Sequence, residues 1–112
     1  MAQQGITEYW YHKPMRILQT VLRQPDAADY NVDSLVNYMN NTHANTLVVN
    51  GGGIVDFFQN RLPMANVNPY MGRRDLLDEI VDGCHKANIK VLARVDFRGV
   101  HKERYDQHPE WF

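Results

Sequence analysis

Arg94 and Asp96 stand two residues apart near the end of the apolar run 89–97, and that spacing in a strand puts both side chains on one face. A charge at such a place survives only beside a partner or a polar ligand. Two readings follow. The pair contacts a hydroxylated substrate, with Asp96 at a rim and Arg94 one layer below, or it forms an ion pair that sets the geometry of a mouth. A solvated strand-end Asp96 is the third option. Asn50 has the equivalent place at the end of Thr46-Leu47-Val48-Val49-Asn50. Its amide can donate to and accept from hydroxyls, or cap the turn into Gly51-Gly52-Gly53. Those glycines bare their backbone amides, yet Ile54-Val55-Asp56-Phe57-Phe58 follows where a phosphate loop would lead into a helix and often a Lys-Ser/Thr pair. Close backbone approach is therefore favoured over phosphate binding.

Aromatic residues are the next signal. Tyr9, Trp10, Tyr11, Phe57, Phe58, Tyr70, Trp111 and Phe112 fall between the periodic segments. Rings of this kind stack on the C–H faces of sugars while polar neighbours take the hydroxyls, although any one of them serves equally to pack a loop. The histidines at 12, 43, 85, 101 and 108 form no HxH or HExxH pair, so neither a metal site nor a cofactor is expected. His101 alone lies where a site can use it, with a solvated loop histidine as the alternative. The single cysteine, Cys84, falls in a helical pattern and reads as a buried structural thiol in a reducing compartment.

The elements that must position these groups are legible from periodicity. Residues 16–22, 46–50 and 89–97 read as strands, the second without polar alternation, as a parallel strand covered on both faces would be. Val32, Leu35, Val36 and Met39 make a helical stripe that Asn31 can cap; Leu76, Leu77, Ile80, Val81, Cys84 and Ala87 make another, with acids toward its N-terminal end. Asn45 and Asn88 are the expected left-handed terminators. The fold class is α/β, a parallel β-α-β-α-β segment with two helices and all strand C-termini at one edge. Leu92, Arg94 and Asp96 should face one side of the third strand, and Val91, Ala93, Val95 and Phe97 the helices. Elaboration is confined to segments 24–31, 51–72 and everything after 97, the edge at which such folds bind ligands.

Composition narrows the classes. With 112 residues, 44% hydrophobic and 22% charged, the chain suits one globular domain with a core. Its net charge of -1 and scattered basic residues speak against nucleic acid. No apolar stretch approaches the roughly 20 residues of a membrane span, and Met1-Ala2-Gln3-Gln4-Gly5 lacks a signal-peptide layout, so a cytoplasmic location is expected.

Five stretches together resemble the family called hypothetical glycosyl hydrolase 6, which is related to α-amylase-like and fucosidase-like (β/α)8 TIM barrels. They are Met15-Arg16-Ile17-Leu18-Gln19-Thr20, Ala44-Asn45 through Gly53-Ile54-Val55, Gly72-Arg73-Arg74-Asp75-Leu76-Leu77, Ile89-Lys90 through Asp96-Phe97, and His108-Pro109-Glu110-Trp111-Phe112. The resemblance implies that residues 1–112 are the N-terminal portion of a glycoside hydrolase barrel acting on an unidentified carbohydrate. In related retaining glycosidases the nucleophile ends the fourth strand and the acid/base a later one, so no catalytic residue is expected here and the isolated chain should be inactive. Asn50, Arg94 and Asp96 carry over as strand-end groups lining the sugar site; His101 and Trp111 join them as substrate-binding candidates. An incomplete barrel should self-associate or pair with the remaining barrel half. The rival is a stand-alone flavodoxin-like βαβαβ module, binding a small ligand or purely structural, whose sheet would carry helices on both faces.

Overall fold

The computed structural model describes residues 9–112; the reading of residues 1–5 lies outside them. Three parallel strands, β1 (Ile17–Gln19), β2 (Thr46–Gly52) and β3 (Lys90–Val95), form one sheet in the order β1-β2-β3. Leu18, Leu47 and Val91 align across it, as do Gln19, Val48 and Leu92 one residue on. The first row turns toward the helices and the second away from them.

Helix α1 (Val32–Asn41) starts where Asn31 accepts the Ser34 N–H at 2.9 Å, and α2 (Leu76–Lys86) where Asp75 accepts that of Asp78 at 3.0 Å. Each cap satisfies one of the amides a helix start leaves unpaired. The two helices pack on one face of the sheet so closely that a β-carbon on Gly83 would stand 2.8 Å from Val32 Cγ1. Met39, Leu47, Val49, Leu76, Ile80, Cys84 and Ile89 fill the layer between, all nearly inaccessible. Cys84 is thus the buried thiol its helical setting suggested, and burial pushes its pKa up, away from thiolate. On the opposite face Ile17 is 54% and Leu92 41% exposed. That side of the sheet has no helical cover among the described residues.

Several expectations need correction. After α1 the left-handed residue is His43 (φ 59°), not Asn45; after α2 it is Asn88 (φ 59°), as expected. Asn45 instead accepts the Arg16 N–H at 2.8 Å and donates to the Pro14 carbonyl at 3.2 Å, tying the entry to β1 against β2. β1 is three residues rather than seven, although Thr20 still donates to the Val48 carbonyl at 3.0 Å. β2 runs two residues further, through Gly51 and Gly52, and β3 stops at Val95, short of Phe97. A register break between Asn50 and Gly52 interrupts the alternation there. Val95 and Phe97, expected under the helices, are accordingly 54% and 79% exposed. A third helix, α3 (Lys102–Gln107), occupies what read as loop. Its sequence, Lys-Glu-Arg-Tyr-Asp-Gln, has no apolar stripe to betray it, and a Lys102–Asp106 pair at 2.6 Å braces its surface. Among the described residues no helix is long and apolar enough to cross a membrane.

Candidate functional site

The C-terminal edge of the sheet is built by cross-linked loops. Phe57, buried, donates its N–H to the Gly51 carbonyl at 3.0 Å, and Asp56 pairs with Val67 as a parallel bridge, so the segment after β2 folds on itself instead of ranging free. Asn68, 1% exposed, donates to the Gln24 carbonyl and accepts the Tyr70 N–H, both at 3.0 Å. Arg74 reaches back to the Ala27 and Tyr30 carbonyls while pairing with Glu79 at 2.8 Å. The first two loops are thereby locked together. Gly53 (φ 143°) passes so near the end of β3 that a β-carbon there would meet the Asp96 carbonyl oxygen at 2.0 Å. This is the close backbone approach expected of the glycine run.

Asn50 and Arg94 are register partners across β2 and β3. The Arg94 guanidinium donates to the Asp96 carboxylate at 2.9 Å, so the ion pair expected as one of the readings is formed. Arg98, which the sequence reading overlooked, completes it: its backbone N–H and its Nε donate to the same carboxylate at 3.1 and 3.0 Å. Those bonds, the Arg98 N–H foremost, hold Asp96 below the usual carboxylate range. Asn50 does not cap the glycine turn. Its Oδ1 accepts the Leu22 N–H at 3.0 Å and so holds the loop after β1, leaving its NH2 without a protein acceptor among the described residues.

Asn50, Arg94, Asp96 and Arg98 line one cavity of about 260 Å³, with Arg23 from the first loop on its wall. A second, of about 490 Å³, is walled by Phe97, Trp111, Phe112, Leu62 and Met64, with Asp56, Arg98 and Arg104 as its charged groups. Ile54 and Arg98 border both, so the two lie side by side. Trp111 therefore sits beside the strand-end cluster rather than in it. His108 stacks on it, ring centroids 3.9 Å apart and planes 4° from parallel, while its Nδ1 meets Glu110 at 2.8 Å and draws that carboxyl below its usual range. His101 immediately precedes α3, is exposed, and borders neither cavity. Trp10 lies at the other end of the sheet, near Thr46 and Lys90 where β2 and β3 begin. Of the five predicted contacts the structure thus gathers Asn50, Arg94 and Asp96, sets Trp111 next door, and leaves His101 apart. The guanidinium of Arg98, two residues past Asp96, was the signal available in the sequence.

The arrangement can donate hydrogen bonds from one amide and two guanidiniums to oxygen-rich groups, next to a wall of aromatic and aliphatic surface. No group of three or more His, Cys, Asp or Glu side chains placed to hold a metal occurs among the described residues. No curated protein and no solved structure matches the chain. The family model described as hypothetical glycosyl hydrolase 6 matches residues 31–112, which takes in four of the five stretches quoted above and leaves Met15 to Thr20 outside. That match covers α1, α2, α3, β2 and β3, with Asn50, Arg94, Asp96 and Arg98 and the whole lining of the larger cavity, and by it the chain belongs to the hypothetical glycosyl hydrolase 6 family.

Proposed function

We propose that the chain supplies the first three strands of a (β/α)8 glycoside hydrolase, and that the cavity over Asn50, Arg94 and Asp96 is part of its carbohydrate site. The observation that carries this reading is the gathering of those three side chains at the C-terminal edge of a parallel sheet, in a chain of a glycosyl hydrolase family. Barrel enzymes place their chemistry at that edge. The free Asn50 amide and the two guanidiniums would take sugar hydroxyls, and Trp111 and Phe97 would stack on a ring.

The open face supports a partial barrel over a flavodoxin-like module. α1 and α2 share one side of the sheet, and exposed Ile17 and Leu92 on the other are the surface that further strands would cover by closing the barrel. Asp96 is a poor general acid, because two arginines hold it ionised. The catalytic carboxylates are assigned to strands four onward. The buried Cys84 suits a reducing, cytoplasmic setting.

The test is release of chromophore from a panel of aryl glycosides by the barrel that contains this segment. Turnover of at least one is expected; inactivity toward every sugar in the panel would overturn the assignment.

A further inference from the structure

The charge inside the smaller cavity is out of balance. Arg23, Arg94 and Arg98 all reach its wall, and Asp96 is the one carboxylate there. Arg23 is neutralised from outside by Asp26 at 2.9 Å, which leaves Asp96 shared between two guanidiniums. Arg98 spends only its Nε on that carboxylate and its side chain is 84% exposed; Arg94 spends one Nη and is 37% exposed. The remaining N–H groups of both, with the Asn50 amide, are donors that a neutral sugar would only partly use. A planar guanidinium fork matches an oxyanion far better than a hydroxyl.

We infer that the ligand of this cavity is an anionic carbohydrate, one whose ring carries a carboxylate or a sulfate, with the anionic group held between Arg94 and Arg98. The inference rests on reading this edge as a glycan site and adds the substrate class to it. Ile54 and Arg98 line both cavities, so a ring extending from the arginines past Ile54 would lie next to Phe97 and Trp111 while its charged group stays at the arginines. Asp96 is then a positioning residue: bound to both guanidiniums, it fixes their planes before any ligand arrives.

Calorimetric titration of the full chain at low salt decides this, using a trigalacturonate, a sulfated galactose trisaccharide and a neutral galactose trisaccharide. At least one acidic probe should bind roughly tenfold or more tightly than the neutral one, and weaken as salt rises. Which acidic probe binds better identifies the anionic group. Arg98→Gln, a change at an exposed side chain, should abolish the preference while leaving the circular dichroism spectrum unaltered, and Arg94→Gln should do the same. Equal binding of neutral and acidic sugars overturns the inference and leaves the glycan site standing. Absence of binding by all three overturns both. A preference that survives both substitutions also overturns the inference, because the charge would then be read elsewhere.

Discussion

Gly53 and Asp96 are in backbone contact: no atom can be added at the Gly53 α-carbon without entering the space of the Asp96 carbonyl, 2.0 Å from where a β-carbon would lie. The contact fixes the loop after β2 against the end of β3, where Asp96 must stand to meet its arginines. Its φ of 143° is also closed to residues with side chains. Gly53→Ala should therefore cost more than about 2 kcal/mol and lower the melting temperature by roughly 10 °C. Gly99→Ala, whose new methyl would make only an ordinary 3.5 Å contact with Ile54, should be close to neutral. Equal melting temperatures for the two variants would show that the loop yields.

Asn68 does for the two loops what Gly53 does for loop and strand. Its side chain joins Gln24 to Tyr70 from a position 1% exposed, so Asn68→Ala unties the two loops and leaves a part-buried carbonyl and amide without their partner. A loss of about 2 kcal/mol is expected in denaturant titration. A midpoint within error of the parent would mean that water replaces the amide.

At the site itself, activity and stability should separate. The Arg94–Asp96 pair is partly exposed and screened by solvent, so breaking it should leave the melting temperature nearly unchanged. If the pair orients substrate, Asp96→Asn and Arg94→Ala in the intact barrel should each lower kcat/KM by about tenfold or more. An unchanged kcat/KM would reduce the pair to a brace for the mouth.

Asp96 also makes a pH prediction with a definite sign. Its carboxyl is held below the ordinary range by the Arg98 N–H, then by the two guanidiniums, so the ionised form is favoured in the folded state. Its contribution to stability is fully present above the ordinary aspartate value, about 3.9, and is lost as pH falls through the lower value of the fold. The carboxyl carbon shift of Asp96 should titrate below that ordinary value. Arg98→Gln should move the midpoint only part of the way back, since the backbone N–H remains. A midpoint at or above the ordinary value would contradict the geometry.

How much of this could be read from the chain depends on what kind of force places each residue. The helices with wide apolar stripes, the Asn31 cap and the Asn88 terminator follow from local pattern, and all are found. α3 escaped because five of its six residues are polar and surface pairs such as Lys102–Asp106 hold it, which leave no periodic trace. Asn45 misled for a different reason: its propensity for the left-handed turn lost to tertiary bonds with Pro14 and Arg16, invisible until β1 and β2 are side by side. Within the site, Arg94 and Asp96 were found by strand alternation, whereas Arg98 lies past the strand end, where alternation says nothing. The rule also failed at Val95 and Phe97, because the register break beside Asn50 and the end of β3 remove the regular pleat.

The open sheet gives the last prediction. β1 and β3 each present a free edge among the described residues, and the face opposite α1 and α2 exposes Ile17 and Leu92. Unpaired strand edges next to apolar surface are templates for a second chain, and of the charges on this face, Lys90, Arg94 and Asp96, the last two are paired with one another. As a 112-residue polypeptide the protein should therefore self-associate, and a charge placed at the centre of the open face, Leu92→Lys, should shift it toward monomer. Light scattering on the parent and the variant measures this directly. A monomeric mass for the parent, with a single cooperative melt, would mean that three strands and one helical layer suffice, and the open face would then need another explanation.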